Sequence, residues 1–324
     1  MPHSFAPTDL AGIGENATDT MLRLPRFPDF NSSLRIHSSQ VLLGGQVATA
    51  IIACQRWGLR TRYFGKVGDD PAGKMQAAAL EAAGVEAHLI TVHDCHSQSA
   101  YILVDQRNGE RTILSERDER LSHSIEEVPR DGITSARVLL VDGHAAPTHA
   151  VVASWARAAG IPVVADVDNL YPGHEDLLAQ VDCLVGSHDL PQRLTGLASH
   201  TDALPAVAHK FGNKLVAATL GRDGVLAYER ATQKFTYCPA FAIEPVDTTG
   251  AGDLFHAGFV FGLAQGWPLP HILDFSCAAA ALNCLSLGAR GGIHSLADTE
   301  RFRASTPRHS PHPAYAKYNV LRGL

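Results

Sequence analysis

The sequence has few cysteines and no cysteine motif. The six lie at positions 54, 95, 183, 238, 277 and 284, without a Cys-x-x-Cys pair or another spacing typical of metal ligands. Most have apolar neighbours, where a free thiol behaves as a small hydrophobic side chain. This pattern argues against a disulfide scaffold or a cysteine metal centre, and it predicts buried thiols in the reducing environment of the cytoplasm.

The chain also lacks an excess of positive charge and any long apolar run. Its 27 Lys and Arg against 33 Asp and Glu give a net charge of −6, which argues against binding to a nucleic-acid backbone but not against a small anionic ligand. No run approaches the roughly 20 apolar residues of a membrane helix, and residues 1–10 have no apolar segment typical of a signal peptide. We therefore expect no membrane or nucleic-acid partner.

What the sequence does contain is an alternation of short apolar runs and helical stretches from residue 137 onward. Strands are predicted at 138–141, 162–167, 183–185 and 214–220, with helices at 148–159 and from about 168 to 180. This pattern predicts a parallel sheet covered by helices on both faces. Ligands bind such sheets at the carboxyl ends of strands, where Asp142, Asp166 and Asp168 either line a crevice or cap turns.

A less apolar group of strands interrupts the first half of the chain. Residues 99–104 and 111–115 alternate as a hairpin with Asn108-Gly109 at its turn, and residues 35–43 alternate loosely. Strands at 10–14 and 61–67 and helices at 46–57 and 71–83 complete this half, and a buried helix is predicted at 272–287. The polarity of the hairpin predicts a flap beside the main body. The tail from residue 306, rich in Pro and His, is expected on the surface.

The most informative stretch is residues 247–253, Asp-Thr-Thr-Gly-Ala-Gly-Asp, followed by an apolar run that ends at Gly266-Trp267-Pro268. It predicts a glycine loop that opens into a buried helix. The first N–H groups of a helix have no partner inside it, so such a terminus suits a phosphate. Asp253 could accept a proton from a hydroxyl that attacks the phosphate, or simply cap the helix. The pattern alone leaves both interpretations open.

Three other glycine motifs carry less information. Residues 12–17 imitate a dinucleotide fingerprint but no helix follows, and residues 68–74 have the spacing of a P-loop but Met75 replaces its Ser or Thr. We interpret both as turns. Residues 221–224, Gly-Arg-Asp-Gly, form either a hairpin turn or a glycine segment that a nucleotide can approach.

Residues 247–253 closely resemble the C-terminal signature of the ribokinase-like carbohydrate kinases, the PfkB family. Three more segments resemble the family in the expected order: Asp19 as the acid that binds sugar hydroxyls, Gly44-Gly45 with residues 65–73 as the N-terminal signature, and residues 219–224 as the nucleotide-binding segment. The resemblance implies an α/β fold, a ribokinase-like three-layer sandwich with a mostly parallel central sheet. It implies a domain at 9–305 with a small β lid from about 18–43 and 97–117, a tail at 306–324, and a homodimer formed through the lid.

The resemblance also implies an activity, the ATP-dependent phosphorylation of a sugar hydroxyl with Mg²⁺. Asp253 would be the general base, and the N–H groups of Gly250, Ala251 and Gly252 would hold charge on the transferred phosphoryl group. The other implied contacts are Asp19, Gly44, Gly45 and Thr49 to the sugar, Ser187, Thr219, Gly221 and Gly224 to the nucleotide, and Asp247 with the 288–292 loop to K⁺. Thr49 either donates to the sugar or packs the helix.

Two departures from the family pattern bear on substrate and mechanism. Thr49 stands where many members have Asn, and together with residues 97–100 and 109–112 it resembles the sulfofructose-kinase and ketohexokinase-like branch. Ser187 and Leu190 replace the Asn and Glu of the motif that handles magnesium, which keeps a non-catalytic sugar or nucleotide sensor as an alternative. A nucleoside kinase is the alternative enzyme, but the flap has few aromatic residues on which a base could stack.

Overall fold

The computed structural model describes residues 5–107 and 111–319. The strands in this part of the chain are β1 (Thr8–Ile13), β2 (Ala17–Leu24), β3 (Ser38–Gly44), β4 (Thr61–Gly68), β5 (Glu86–Val92), β6 (Ser99–Asp105), β7 (Arg111–Glu116), β8 (Ala136–Asp142), β9 (Val163–Val167), β10 (Cys183–Gly186), β11 (Leu215–Thr219), β12 (Val225–Glu229) and β13 (Lys234–Cys238). The α-helices are α1 (Gln46–Arg56), α2 (Pro71–Ala82), α3 (Arg130–Thr134), α4 (Ala146–Ala158), α5 (His174–Leu178), α6 (Leu190–Thr195), α7 (His200–Phe211), α8 (Ala251–Ala264), α9 (Leu269–Asn283) and α10 (Leu296–Ser305).

Nine strands form the main sheet, in the order β13-β12-β11-β10-β9-β8-β1-β4-β5. The strands from β11 to β5 are parallel, and β12 and β13 add an antiparallel edge. The central strands are buried on both faces, which is why they read as nearly continuous apolar runs. Their carboxyl ends meet along one edge, where Asp142 and Asp166 are direct neighbours in register. The predicted mostly parallel sheet is confirmed.

Helices pack on both faces of this sheet and give a three-layer α/β architecture. Residues of α1, α8 and α9 pack against one face, and those of α4 and α7 against the other. On the first face the ring of Trp57 lies 5.4 Å from Phe261 and 5.1 Å from Phe275, between centroids. Each buried Phe contributes about 1.5–3 kcal/mol to the free energy of unfolding. This aromatic cluster fixes α8, whose first turn faces the carboxyl edge of the sheet.

A second, four-stranded sheet has the order β3-β2-β6-β7 and corresponds to the predicted lid. Strand β2 pairs in parallel with β6 and antiparallel with β3, and β6 pairs antiparallel with β7. The predicted turn at Asn108-Gly109 lies outside the described residues. Strand β3 leads directly into α1 through Gly44 and Gly45, so the lid joins the main body at this glycine pair.

The structure differs from the predicted elements in several places. The helix expected up to residue 180 is reduced to α5, because the chain before it turns at Gly173, which has a φ of +83°. The buried helix lies at Leu269–Asn283 rather than 272–287, and β3 begins at Ser38 rather than 35. Strands β5 and β13 had no counterpart among the predicted elements.

The described part of the tail packs on the antiparallel edge of the main sheet. Phe241 forms an antiparallel bridge with Arg308, and Tyr237 forms a parallel bridge with Asn319. All six cysteines are buried and free, as their apolar neighbours predicted. Within residues 5–107 and 111–319, none of the helices combines the length and hydropathy needed to cross a bilayer.

Gly45 lies where the lid joins the main body, and a substitution there tests the close backbone contact at this junction. Its φ is +92°, and a Cβ would lie 2.5 Å from the Cα of Asn16 and 2.7 Å from the backbone N of Ala17. Gly58 has a similar φ of +98° but open space around it. We expect Gly45→Ala to lower the free energy of unfolding by about 2–5 kcal/mol and the control Gly58→Ala by about 1–2 kcal/mol, measured by urea denaturation. Equal losses would show that backbone contact at the junction is unimportant.

Candidate active site

The site forms around the first turn of α8. Gly250 precedes the helix with a φ of +76°, and a Cβ there would lie 2.4 Å from the Cα of Ala289, so only glycine fits. A Cβ on Gly252 would meet nothing within 4 Å, which leaves its face open. The N–H group of Ala251 makes a long bond of 3.3 Å to the carbonyl of Thr248. An open helix N-terminus of this kind attracts anions.

Asp247 fixes the loop that leads into this helix. Its Oδ1 accepts from the N–H and hydroxyl of Thr249, at 2.9 and 2.8 Å, and its Oδ2 accepts from the N–H of Gly288 at 2.8 Å. The Asn283 amide supports the same loop by donating to the carbonyl of Thr249 at 2.9 Å. The carboxylate therefore ties the helix start to the 288–292 loop.

Asp253 keeps part of its surface open to the cleft but is surrounded by protein atoms. Burial and the nearby carboxyl of Asp166 raise its pKa to about 8, although His256 opposes the shift. Burial also raises the pKa of Asp166 well above its ordinary value. A carboxyl group with so high a pKa is a strong proton acceptor once it is ionised. Asp253, which the family resemblance implies as the general base, therefore lies in an environment that favours its protonated form.

His256, which sequence reasoning missed, lies one helical turn beyond Gly252. Its Nδ1 is 2.8 Å from the carbonyl oxygen of Gly252 and 3.1 Å from Oδ2 of Asp166, and its Nε2 is 3.1 Å from the carbonyl oxygen of Val185. Burial lowers the pKa of this imidazole. The ring thus connects the α8 terminus to the ends of β9 and β10. A histidine within an otherwise apolar helical run was the available signal.

The acids at the strand ends differ in role. Asp142 is fully buried and caps a turn, since its carboxylate accepts from the N–H groups of Glu15 at 2.5 Å and His144 at 3.0 Å. Despite opposing burial, His144 and His149 hold its pKa below the ordinary value. Glu15 and Asp142 raise the pKa of His144 to about 9, although burial opposes this shift. Asp142 is structural, whereas Asp166 contacts the residues around Asp253.

The predicted sugar residues meet at the lid junction. A Cβ on Gly44 would lie 2.3 Å from Oδ2 of Asp19, so glycine lets this carboxylate lie against the backbone. Burial and Glu15 raise the pKa of Asp19 to about 6, while Arg290 opposes the shift. Asp19 also contributes to the raised pKa of Asp253. The sugar-side acid and the proposed base therefore act on each other electrostatically.

Arg290 is the second residue that sequence reasoning missed. Its Nε donates to the hydroxyl of Thr49 at 3.0 Å, and its Nη2 donates to Oδ1 of Asn16 at 2.8 Å and to the carbonyl of Gly44. Thr49 is fully buried, so its observed contact is with Arg290. The signal was a single basic residue inside the 288–292 glycine loop. Buried polar atoms near this junction have no hydrogen-bond partner among the described residues: Asn16 Nδ2, Gln46 Oε1, Gln98 Oε1 and Arg290 Nη1.

On the other side of the α8 terminus is a cavity of about 450 Å³. Its walls include the predicted nucleotide residues Thr219, Gly221 and Gly224 together with Ala251 and Gly252, and an apolar part formed by Ala240, Phe241, Ile243, Phe255, Cys277, Ala280 and Ala281. Ser187 does not line it and donates instead to Asp189 at 3.4 Å. Leu190 is fully buried. Among residues 5–107 and 111–319, no three or more His, Cys, Asp and Glu side chains are grouped to hold a metal ion.

Comparison with known proteins identifies the family of this chain. The family model described as pfkB family carbohydrate kinase matches residues 8–296. The chain belongs to the PfkB family. A ribokinase of Arabidopsis thaliana is 28% identical over 89% of this chain and 78% of its own length, and a 5-dehydro-2-deoxygluconokinase of Geobacillus kaustophilus is 27% identical over 80% and 84%.

Solved structures support the fold of this PfkB kinase. The ribokinase of Giardia lamblia superimposes with a TM-score of 0.82 at 17% identity, covering 91% of this chain and 99% of its own. The Arabidopsis thaliana ribokinase complexed with ribose and ATP gives 0.78 at 24% identity, covering 92% and 99%. The ribokinase-like fold is therefore confirmed, and the named relatives are sugar phosphotransferases. The resemblance to the sulfofructose-kinase branch stays a prediction.

The raised pKa of Asp253 has a consequence for stability. Between pH 4 and 8 the folded protein keeps a proton on Asp253 that the unfolded chain has lost, so this group's contribution to stability falls as pH rises towards 8. Asn cannot ionise. We expect the difference in free energy of unfolding, Asp253→Asn minus wild type, to increase by about 1.4 kcal/mol for each unit that the pH rises within this range. Asp202→Asn, which changes an exposed acid in the first turn of α7, is the control for the exchange of Asp for Asn itself. Parallel curves for wild type and Asp253→Asn would contradict the shift.

Proposed function

We propose that this chain phosphorylates a sugar hydroxyl with ATP, using Asp253 as general base. The observation that carries the proposal is the position of the α8 terminus. Ala251 and Gly252 line the 450 Å³ cavity on one side, while Asp253, in the same turn, interacts electrostatically with Asp19 and Arg290 on the other. A phosphate donor and a polyol acceptor bound in these two places would meet at Asp253.

In the proposed reaction, ATP supplies the γ-phosphoryl group. Asp253 takes the proton of the attacking hydroxyl, and the open N–H groups at Gly250 and Gly252, with the weakly bonded one of Ala251, hold charge on the transferred group. Losing one such donor costs about 10²–10³ in rate. Asp19 orients the sugar by accepting from its hydroxyls. Gly44 lets the Asp19 carboxylate lie against the backbone, Gly45 lets the chain pass close to Asn16, and Arg290 holds Thr49 in place beside them.

We propose that metal ions take part in the reaction, although the site offers few protein ligands for them. We expect Mg²⁺ to arrive with the nucleotide phosphates, because Leu190 offers no carboxylate where the family has Glu. Asp166 and Asp168, at the end of β9, are acids that could bind its water shell, and Ser187 lies at the end of the neighbouring β10. The proposed K⁺ site at Asp247 would share a carboxylate that already accepts three hydrogen bonds.

A sugar fits the acceptor site better than a nucleoside does. The junction offers a carboxylate, a guanidinium and three amide atoms that have no hydrogen-bond partner within the described part of the chain, and these groups match a ring of hydroxyls. A nucleoside kinase of Methanothermobacter thermautotrophicus is 27% identical, so that activity exists among the relatives. The four strands of the lid contain one aromatic residue, Tyr101, and it belongs to the outer face described below. A non-catalytic sensor would not need a buried acid with a raised pKa.

We also propose that two lids associate in a homodimer. The register of the lid aligns Val41, Thr20, Tyr101 and Leu114 in one row across its outer face. Three of these side chains are apolar or aromatic and remain exposed, at 55% for Val41, 48% for Tyr101 and 53% for Leu114. An exposed apolar row on a sheet is typical of an association surface.

Because the proposed dimer forms through this row, negative charge introduced on the row should separate the two subunits. We expect Tyr101→Glu combined with Leu114→Glu to give a monomer in sedimentation velocity, because like charges would face each other across the two lids. Val151→Glu, at an exposed apolar position on α4, is the matched control and should stay dimeric. A wild-type monomer, or a dimeric lid variant, would rule out this interface.

The catalytic role predicts a selective loss in Asp253→Asn. Removing the general base should lower kcat about 10²–10⁴-fold, while the affinity for ATP stays within twofold of wild type. The measurement is ATP-dependent phosphorylation of ribose, ketoses and sugar acids, with ATP affinity followed separately by calorimetry. Asp202→Asn, the exposed first-turn acid, should keep full activity. Turnover by Asp253→Asn close to that of wild type would overturn the assignment.

A further inference from the structure

The C-terminal segment beyond the family match becomes part of the nucleotide cavity. The family model ends at residue 296, and the chain then forms α10 and returns to the main sheet. Ala242 donates from its N–H to the carbonyl of Pro307 at 2.9 Å, and His309 donates to the carbonyl of Ala240 at 3.0 Å. Residues 307–309 therefore extend the 240–242 segment as a short antiparallel ladder.

Arg308 anchors this ladder to the core. Its guanidinium lies 3.7 Å from the ring centroid of Phe241, donates to the carbonyl of Pro239 at 2.5 Å, and pairs with the carboxylate of Asp274 on α9. Arg303 holds the same carboxylate at 2.7 Å. Neighbouring side chains in an extended segment point in opposite directions. Because Arg308 points into the core, His309 points away from it.

A second anchor joins the tail to the Gly221–Gly224 turn. The hydroxyl of Tyr237 donates to the carbonyl of Asp223 at 2.6 Å and accepts from the N–H of His312 at 3.0 Å. The ring of Tyr315 lies 5.6 Å from that of Tyr237. The tail is thus held against the Gly221–Gly224 turn as well as against α9.

Among the described residues of the tail, His309 is the one that lines the cavity. Apolar walls from Phe255, Ala280 and Ala281 line it as well, together with the polar side chains of Arg222 and Glu244. A cavity with a large apolar wall and a few polar groups suits a nucleobase, and an imidazole can stack on such a base or bond to its edge. The acceptor site at Asp19 lies on the other side of the α8 terminus. A side chain at position 309 should therefore affect the nucleotide and leave the sugar unaffected.

We propose that His309 contacts the base of the bound nucleotide and that residues 307–309 form a wall of its site. The inference rests on the proposed function, because it takes the cavity to be the nucleotide site. It assigns part of nucleotide recognition to a segment outside the 8–296 family match.

The test is the affinity of His309→Ala for ATP, measured by calorimetry without any sugar. We expect Kd to increase about three- to tenfold, the effect of losing one stacking or hydrogen-bonding contact. His312→Ala is the matched control, since that histidine is in the same tail and does not line the cavity, while its backbone N–H keeps the bond to Tyr237. Thermal unfolding of His309→Ala should match wild type, whereas His312→Ala also loses a ring contact with Tyr315.

Two failures can be told apart. If wild type and His309→Ala bind ATP equally well, the inference about His309 is wrong and the proposed function stands. If wild type binds no ATP, the cavity is not a nucleotide site and both proposals fall. A KM for the sugar that rises together with the Kd for ATP would also contradict the inference, because it would place His309 at the acceptor.

Discussion

The carboxylate of Asp247 is the contact on which the arrangement of the site depends. It holds the loop before α8 against Gly288, and the same 288–292 loop carries Arg290 to Thr49, Asn16 and Gly44. One continuous set of hydrogen bonds therefore connects the helix start beside the 450 Å³ cavity, the proposed nucleotide site, with the glycine junction, the proposed acceptor site. Glycine is required at Gly250 and Gly45 because a Cβ there would meet the backbone of a neighbouring segment, and at Gly44 because a Cβ would meet the Asp19 carboxylate.

Acids gathered at one edge of the sheet define the electrostatics of the site. Burial raises the pKa of Asp19, Asp166 and Asp253 together. Arg290 opposes the shift of Asp19, His144 that of Asp166, and His256 that of Asp253. Assembling these groups costs stability, since each favours water when ionised. The gain is a carboxylate that readily accepts a proton beside a helix terminus that favours anions. These two properties are the ones that transfer of a phosphoryl group to a hydroxyl requires.

Several elements of the fold could be predicted from local residue patterns alone. The parallel strands, the lid and the glycine loop at Gly250 follow from apolar periodicity and from glycine spacing. Strand β5 is an edge strand with exposed residues, so its sequence carries no apolar run. Arg290 and His256 acquire their partners only when distant segments meet. The tail was expected on the surface because Pro and His dominate it, and its place beside the cavity comes from Arg308, whose partner Asp274 is more than thirty residues away.

The proposed kinase activity is tested most directly by transfer of label from [γ-³²P]ATP by the wild-type protein to a panel of pentoses, ketoses, sugar acids and nucleosides. We expect a labelled sugar phosphate, formed at a rate that increases with pH up to about 8 as Asp253 loses its proton, and no labelled nucleotide from the nucleosides. ATP binding without transfer to any acceptor would contradict the kinase assignment. A nucleoside as the sole acceptor would place a base, rather than a sugar alone, at Asp19.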